Sequence, residues 1–155
     1  MPHYCKRGSL PAKRHTQFRK PDGSLYAEEL VGTEGFSNVS SIVYHVHSPT
    51  AVLEVDEPTP YAPKIAEHKN LKNRCYKGFK IAPQDDFLES RKYVLVNNDV
   101  YLALSAPRKS MSDYFFKNAE ADEVIFVHEG SGTLKSLYGE ITFGYGDYLV
   151  IPRGT

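Results

Sequence analysis

The 155-residue sequence predicts an all-β protein built from short antiparallel strands. Its eleven Tyr and eight Phe, together with ten Pro and eleven Gly, favour many short strands joined by turns. Strand-like runs recur at 133–137, 140–143 and 148–151, at short and regular intervals. Glycines separate these runs, at positions 130, 132, 139, 144, 146 and 154. This spacing indicates a barrel or a sandwich of antiparallel strands.

The first part of the chain has weaker strand signals. Residues 1–35 are interpreted as an irregular N-terminal arm, and residues 36–155 as the β-domain. Within the arm, Pro21-Asp22-Gly23 is a turn signal, because proline presets φ and glycine accepts the left-handed conformation. A short hairpin can form around that turn. A strand is predicted over 39–46, ended by Ser48-Pro49.

The middle of the chain begins with "AVLEVDEPTPYAPK", which predicts a short strand and then extended chain, because it holds three prolines. The mixed stretch 65–81 can hold one helical turn, although its aromatic-basic alternation favours a strand. "KYVLVNNDVYLALSAP" has two apolar runs around Asn97-Asn98-Asp99, which is typical of a β-hairpin. We expect 111–119 to be extended and 122–127 to form a strand closed by a glycine turn.

Composition excludes several functional classes. Lys plus Arg and Asp plus Glu each number 19, so the formal net charge is zero and does not favour nucleic acid or an anionic membrane as a partner. The polar, basic N-terminus does not resemble a signal peptide, and no apolar run approaches the roughly 18 residues that span a bilayer. Cys5 and Cys75 lack metal-site spacing and fit a reducing compartment. We expect a soluble, cytoplasmic protein.

Two sequence patterns near the C-terminus resemble parts of the cupin motifs. Gly146, five residues, Pro152 and then Gly154 follow the start of one motif, G-x5-P-x-G-x2-H. Glu123, six residues and then Gly130 follow the end of the other, H-x-H-x3/4-E-x6-G. The resemblance implies a cupin-like β-barrel or jelly roll. Because the later His of the first pattern would lie past Thr155, we expect the barrel to be incomplete at its C-terminus.

The cupin metal site needs residues that this chain lacks. Two histidines at i and i+2 share one face of a strand, and with a carboxylate and a third histidine they can bind one divalent metal. The window 116–119, where the pair should precede Glu123, holds Phe, Lys, Asn and Ala. We therefore interpret Glu123 as structural or solvent-facing and not as a metal ligand.

Three longer stretches resemble the N-terminal part of the homogentisate 1,2-dioxygenase family. They are "KRHTQFRKPDGSLYAEELVGTEGFS", "YHVHSPT" and "DEVIFVHEGSGTLKSLYGEITFGYGDYLVIPRGT". The resemblance implies an Fe(II)-dependent enzyme that uses O₂ to convert homogentisate to maleylacetoacetate in tyrosine and phenylalanine catabolism. It also implies that the iron ligands lie in a second cupin-like half, outside residues 1–155. No catalytic, cofactor-binding or metal-binding residue is therefore assigned here, the segment alone is expected to be inactive, and we expect a homo-oligomer.

Other candidate residues have two interpretations each. The pair His45 and His47 could bind a metal, but no Glu follows at the cupin spacing, so packing or hydrogen bonding is favoured. His15 lies in a basic run that suits an anion patch or, more commonly, a solvated arm. Cys75, beside Arg74 and Lys77, could be reactive, although a buried, inert thiol is the commoner case. Two further predictions are that His128-Glu129 is solvated and that the tyrosines pair across strands, at 138, 145 and 148.

Two rival functions remain open on the sequence alone. The chain could be a stand-alone, metal-free cupin-like module that binds a small molecule or serves in assembly, or a metal enzyme that uses His45 and His47. Gly146 and Gly154 are both predicted to have positive φ, because they flank a short apolar strand. That strand, 148–151, is expected to form an apolar edge that invites association.

Overall fold

The computed structural model describes residues 17–35, 37–59, 62–67, 70 and 72–155. The chain divides into two units, Met1–Glu57 and Pro58–Thr155. The described residues are mostly strands and irregular chain, with one four-residue helix and one 3₁₀ turn. The all-β prediction is confirmed. The strands of the described part form four separate two-stranded antiparallel sheets without a closed barrel, so the cupin-like barrel stays a prediction.

The first unit is built on one hairpin. Strand β1 (Ala27–Glu34) pairs with β2 (Ser37–His45) in antiparallel register, with a shift between Gly32 and Glu34. Gly32 suits this irregularity, because a Cβ there would collide with the Gly35 carbonyl oxygen. The predicted boundary at 35/36 falls within this hairpin. The prediction of irregular chain up to residue 35 is wrong for 27–34, because cross-strand pairing outweighs the polar composition of this segment.

A smaller turn precedes this hairpin. Gly23 has φ of 85° and donates its N–H to the Lys20 carbonyl at 2.9 Å, so the turn signal at Pro21-Asp22-Gly23 corresponds to a turn in the structure. An isolated bridge between Arg19 and Leu25 closes it. The strand predicted within 51–55 is absent from the described residues. Leu53 is 98% exposed there, and the strands that the structure describes do not pair with this segment.

The second unit begins its regular structure with a 3₁₀ turn (Gly78–Lys80) and helix α1 (Phe87–Ser90). Residues 72–77 form no strand, so the preference for a strand within 65–81 is not met in the described residues, and the alternative of one helical turn agrees better. Strands β3 (Lys92–Val96) and β4 (Tyr101–Leu104) form the predicted hairpin. The side chain of Asn97 holds its turn by accepting hydrogen bonds from the N–H groups of Asp99 and Val100.

The remaining four strands are nested along the chain. Strand β5 (Glu123–Phe126) pairs with β8 (Tyr148–Ile151), and the hairpin of β6 (Gly132–Ser136) and β7 (Gly139–Phe143) lies between them in sequence. All four strands were predicted within about one residue. Gly146 and Gly154 have φ of 89° and 78°, which confirms that both are left-handed turn residues.

Very few described side chains are fully covered. Val127 and Leu149 are the buried apolar residues of the described part, at the β5–β8 pair. Ser90 is the buried polar residue, and its hydroxyl donates to the Phe87 carbonyl and shares a hydrogen bond with Ser105. The covered side of the second unit therefore lies where α1, β5 and β8 contribute side chains.

Candidate functional site

Glu123 lies at the start of β5 and is held by two neighbouring side chains. Arg91 donates from both terminal nitrogens to its two carboxylate oxygens, at 2.9 and 3.0 Å. Asn118 adds a hydrogen bond to Oε1 at 3.0 Å. The Arg91 and Glu123 side chains are only 12% and 14% exposed. The guanidinium engages both carboxylate oxygens, which a metal ion would otherwise need. Glu123 therefore acts as a structural anchor in this arrangement.

The Arg91 guanidinium is itself positioned by aromatic rings. It lies 4.8 Å from the ring centroid of Phe87 and 5.5 Å from that of Phe116. Phe87 begins helix α1, and the Asp86 side chain caps this helix by accepting from the N–H groups of Leu88 and Glu89. The short helix thus places one aromatic face beneath the guanidinium, and the cation–π contacts restrict its orientation toward β5.

The loop before β5 is also tied to the turn after β8. Gly154 donates its N–H to the Asn118 carbonyl at 2.7 Å, and Arg153 donates its N–H to Asp122 at 2.8 Å. The same Asn118 holds Glu123 through its side chain. The two stretches that carry the partial cupin patterns therefore meet through direct hydrogen bonds, around Glu123 and Gly154.

The charge state of these carboxyls follows from their partners. Burial raises the pKa of the Glu123 carboxyl, but hydrogen bonds from Arg91 and Asn118 and the guanidinium charge outweigh it, so the pKa lies below its ordinary value. The pKa of the Asp86 carboxyl is lowered mainly by the hydrogen bond that the Tyr114 hydroxyl donates to it. Hydrogen bonds from the N–H groups of α1 lower this pKa further. Both groups are anions at neutral pH. Each is satisfied by protein donors.

The pair His45 and His47 does not form a joint site. His45 Nε2 lies 2.7 Å from Glu29 Oε2 across the β1–β2 hairpin, in agreement with the hydrogen-bonding interpretation. The strand ends at His45, so His47 lies in a bend beyond it. The shared strand face that a metal-binding pair would need therefore does not extend to His47, because that geometry requires a strand that continues through residue 47.

Aromatic side chains cluster on the outer side of the β5–β8 pair. The rings of Phe126 and Tyr148, which are register partners, lie 4.8 Å apart, so the cross-strand interpretation of Tyr148 is confirmed. His128 is exposed as predicted, but its ring lies 4.5 Å from that of Phe79 and 6.3 Å from that of Tyr145. Tyr138 lies in the β6–β7 turn and is not a cross-strand pair of the described sheets.

A shallow cavity of about 290 Å³ lies beside β3 and β4. Its lining includes three apolar side chains and three lysines: Ile81, Val94, Leu104, Lys77, Lys80 and Lys92. Gly78 makes room for this packing, because a Cβ there would come within 2.9 Å of a Leu104 methyl group. The cavity thus has apolar walls and lysine side chains along its lining.

The remaining sequence candidates stand apart from these clusters. Cys75 is a free, exposed thiol, so the preference for a buried thiol is wrong, because the chain around it forms no packed element. His15 and Cys5 lie outside the described residues. In the part of the chain that the structure describes, no group of three or more His, Cys, Asp or Glu side chains is arranged to hold a metal ion. The helices within that same part include none long and apolar enough to cross a membrane.

Sequence reasoning missed Arg91 and Asn118, which engage Glu123. Neither belongs to a recognisable motif, and both approach Glu123 only through the tertiary fold. A signal for α1 was present, because Asp86 followed by Glu89 has the spacing of a helix N-cap with an acidic third position. That signal would have placed Arg91 directly after a short helix but not beside β5.

Comparison with known proteins finds a similarity that runs along the whole chain. The chain is 37% identical, over an alignment of 157 positions, to a protein of Saccharolobus solfataricus named "Putative dioxygenase". The alignment covers 100% of this chain and 40% of the relative. The chain therefore spans about two fifths of the length of this relative. No protein-family model matches the chain, and no solved structure gives a significant match.

Proposed function

We propose that this chain is the N-terminal, non-metal-binding segment of an Fe(II)-dependent ring-cleaving dioxygenase that converts homogentisate to maleylacetoacetate in tyrosine and phenylalanine catabolism. The observation that carries the proposal is the 37% identity, along the whole chain, to a relative whose name describes a dioxygenase. Homogentisate is proposed as the substrate because three stretches of the sequence resemble homogentisate dioxygenases. The role proposed for this segment is that of a scaffold with subunit contacts in a homo-oligomer.

The described residues do not fit an iron site. Non-haem Fe(II) in oxygenases takes two histidines and one carboxylate on one face. Glu123 has both oxygens engaged by Arg91 and lies beside Asn118, and the ring of His45 is paired with Glu29. No step of the reaction is therefore assigned to these residues. In the proposal, the iron and its ligands belong to the part of the enzyme that corresponds to the unmatched 60% of the relative.

The experiment compares this chain with the complete Saccharolobus relative, each supplied with Fe²⁺ and ascorbate. Homogentisate-dependent O₂ consumption is followed, together with iron content after dialysis. We expect turnover and bound iron for the relative, and neither for this chain. Turnover by the 155-residue chain would refute the placement of the active site. An iron-loaded relative without activity on homogentisate would refute the substrate.

The cavity beside β3 and β4 favours a second candidate, a metal-free module that binds a small molecule. Its three lysines and apolar walls suit an aromatic carboxylate, which offers both an anion and an apolar ring. Phenylacetate titration followed by NMR tests this candidate. Saturable shifts confined to the cavity, abolished in Lys77→Glu, would promote the module above the dioxygenase segment. Unchanged spectra at millimolar ligand would eliminate it.

A further inference from the structure

We propose that the outward face of the β5–β8 pair is a docking surface for the polypeptide that corresponds to the unmatched 60% of the dioxygenase-named relative. The inference rests on the proposed function and adds to it the surface by which this segment joins the remainder of the enzyme. The outward face is defined by two cross-strand pairs, Val124 with Val150 and Phe126 with Tyr148.

The outward face is apolar along its whole length. Its four side chains are 47–68% exposed, and none carries a charge. Phe79 and Tyr145, which are 83% and 76% exposed, continue the apolar surface through their contacts with His128. A sheet that meets water on one side normally alternates apolar and polar residues. Here the sequences VIFV and YLVI are apolar on both faces, which is typical of strands covered on both sides.

The size of the surface indicates a polypeptide and not a small ligand. From the usual area of an aromatic side chain, the exposed parts of the four aromatic rings amount to on the order of 600 Å². The two valines bring the total close to the roughly 800 Å² that each partner contributes to a specific protein interface. A metabolite of the size of homogentisate would cover only a fraction of it.

The form of the sheet indicates that the occupant contributes strands. In the described residues, β5 and β8 pair only with each other, so each has a second edge without a strand partner. A two-stranded pair is marginal in water and gains stability when further strands or a packed layer join it. The relative carries both its matched region and the remaining 60% in one chain, so the two portions occur there at equal stoichiometry. This favours that portion over a second copy as the occupant.

The test is a binding experiment in trans. The 155-residue chain is produced separately from a polypeptide comprising the unmatched portion of the Saccharolobus relative, and their association is measured by biolayer interferometry and by light scattering after gel filtration. We expect a 1:1 complex. Val150→Lys, which places a charge at the centre of the surface, should weaken binding at least about ten-fold, because the ammonium would be desolvated on docking.

A matched control separates this effect from a general change of charge or solubility. Val52→Lys replaces the same residue type at a position that is 72% exposed, against 67% for Val150, and lies in the other unit. It should bind as the unchanged chain does. Circular dichroism establishes that each variant keeps its strand content. If Val150→Lys fails to fold, Tyr148→Ser serves in its place.

Several outcomes would overturn the docking surface. One is that the two polypeptides do not associate. Another is that Val52→Lys weakens binding as much as Val150→Lys does. Concentration-dependent self-association of the chain, abolished by Val150→Lys, would assign the surface to a second copy instead. Failure of the proposed function would look different. A complex that depends on Val150 but leaves homogentisate and O₂ unconsumed, with iron bound, would preserve the surface and refute the reaction.

Discussion

The two faces of the β5–β8 pair share one backbone and differ in almost everything else. On the inner face, Leu149 and Val127 are buried and Glu123 is held by Arg91. On the outer face, Val124 and Val150 stand opposite each other in water. Side chains one residue apart along a strand point to opposite sides, so adjacent residues of similar chemistry have different roles. Hydrophobicity alone therefore does not tell which residues of this pair stabilise the chain.

The largest expected effect comes from removing the cation on the inner face. Arg91→Met keeps an apolar stem over Phe87 but leaves the Glu123 carboxylate without its bidentate partner. Breaking a largely buried ion pair by removing one partner costs about 3 kcal/mol or more. We expect this loss in the free energy of unfolding, measured by urea denaturation. The double variant Arg91→Met with Glu123→Leu should recover part of it. A single variant as stable as the unchanged chain would show that the inner face does not depend on the pair.

The second effect compares neighbours on opposite faces. Leu149→Ala should lower the free energy of unfolding by about 2 kcal/mol, because it removes a buried side chain and leaves a cavity. Val150→Ala, one residue further and 67% exposed, should change it by less than about 0.5 kcal/mol. Both values come from denaturation of the chain by itself. Equal losses at the two positions would mean that the outer face is already covered in solution.

A smaller effect is expected at the turn that follows β8. Gly154 has φ of 78° with open space where a Cβ would lie, so Gly154→Ala meets backbone strain and no steric contact. The expected loss is about 1 kcal/mol in the free energy of unfolding. Thermal denaturation of Gly154→Ala and of Gly144→Ala tests this, because Gly144 also has open space but no positive φ. Equal melting temperatures for the two variants would contradict the role of φ.

The smallest expected effect on stability appears only at acidic pH. The Glu123 pKa is lower in the folded chain than in the unfolded chain, so its stabilisation is fully present above the unfolded pKa, near 4.5. It is lost as the pH falls through the lower, folded pKa, because the unfolded state then binds the proton more readily. As the pH is lowered from about 5 to about 3, the free energy of unfolding should fall more steeply in the unchanged chain than in Glu123→Gln. Parallel pH profiles for the two chains would show that the Glu123 carboxylate does not contribute to the pH dependence of stability.

Strand positions in the second unit were predictable because short-range signals specify them. Glycines flank β6, β7 and β8, and the apolar runs between those glycines are only long enough for strands. Asn97 similarly marks the β3–β4 turn through hydrogen bonds to its own neighbours. In the first hairpin, β2 matches the strand predicted over 39–46, whereas β1 was missed, because the stretch AEELVGTE has no clear strand signal and forms a strand only against β2.

The candidate site was predictable only in part. The mismatch with the cupin metal motif directed attention to Glu123 and argued against a metal-ligand role, and that reasoning needed only the spacing of residues along the chain. The partners of Glu123 lie 32 and 5 residues away, at Arg91 and Asn118, and no local pattern links them. The aromatic contact between Phe79 and His128 likewise joins segments that are distant in sequence.

The sequence by itself determined the class of the fold, the strands from β3 onward and the left-handed turns at Gly146 and Gly154, because each depends on a few consecutive residues. Only the tertiary structure decided that Arg91 takes the carboxylate of Glu123 and that Leu149 is covered while Val150 is exposed. The physical reason is that burial and ion pairing depend on which distant segments approach each face of a strand. A run such as YLVI is equally apolar on both sides and does not encode that choice.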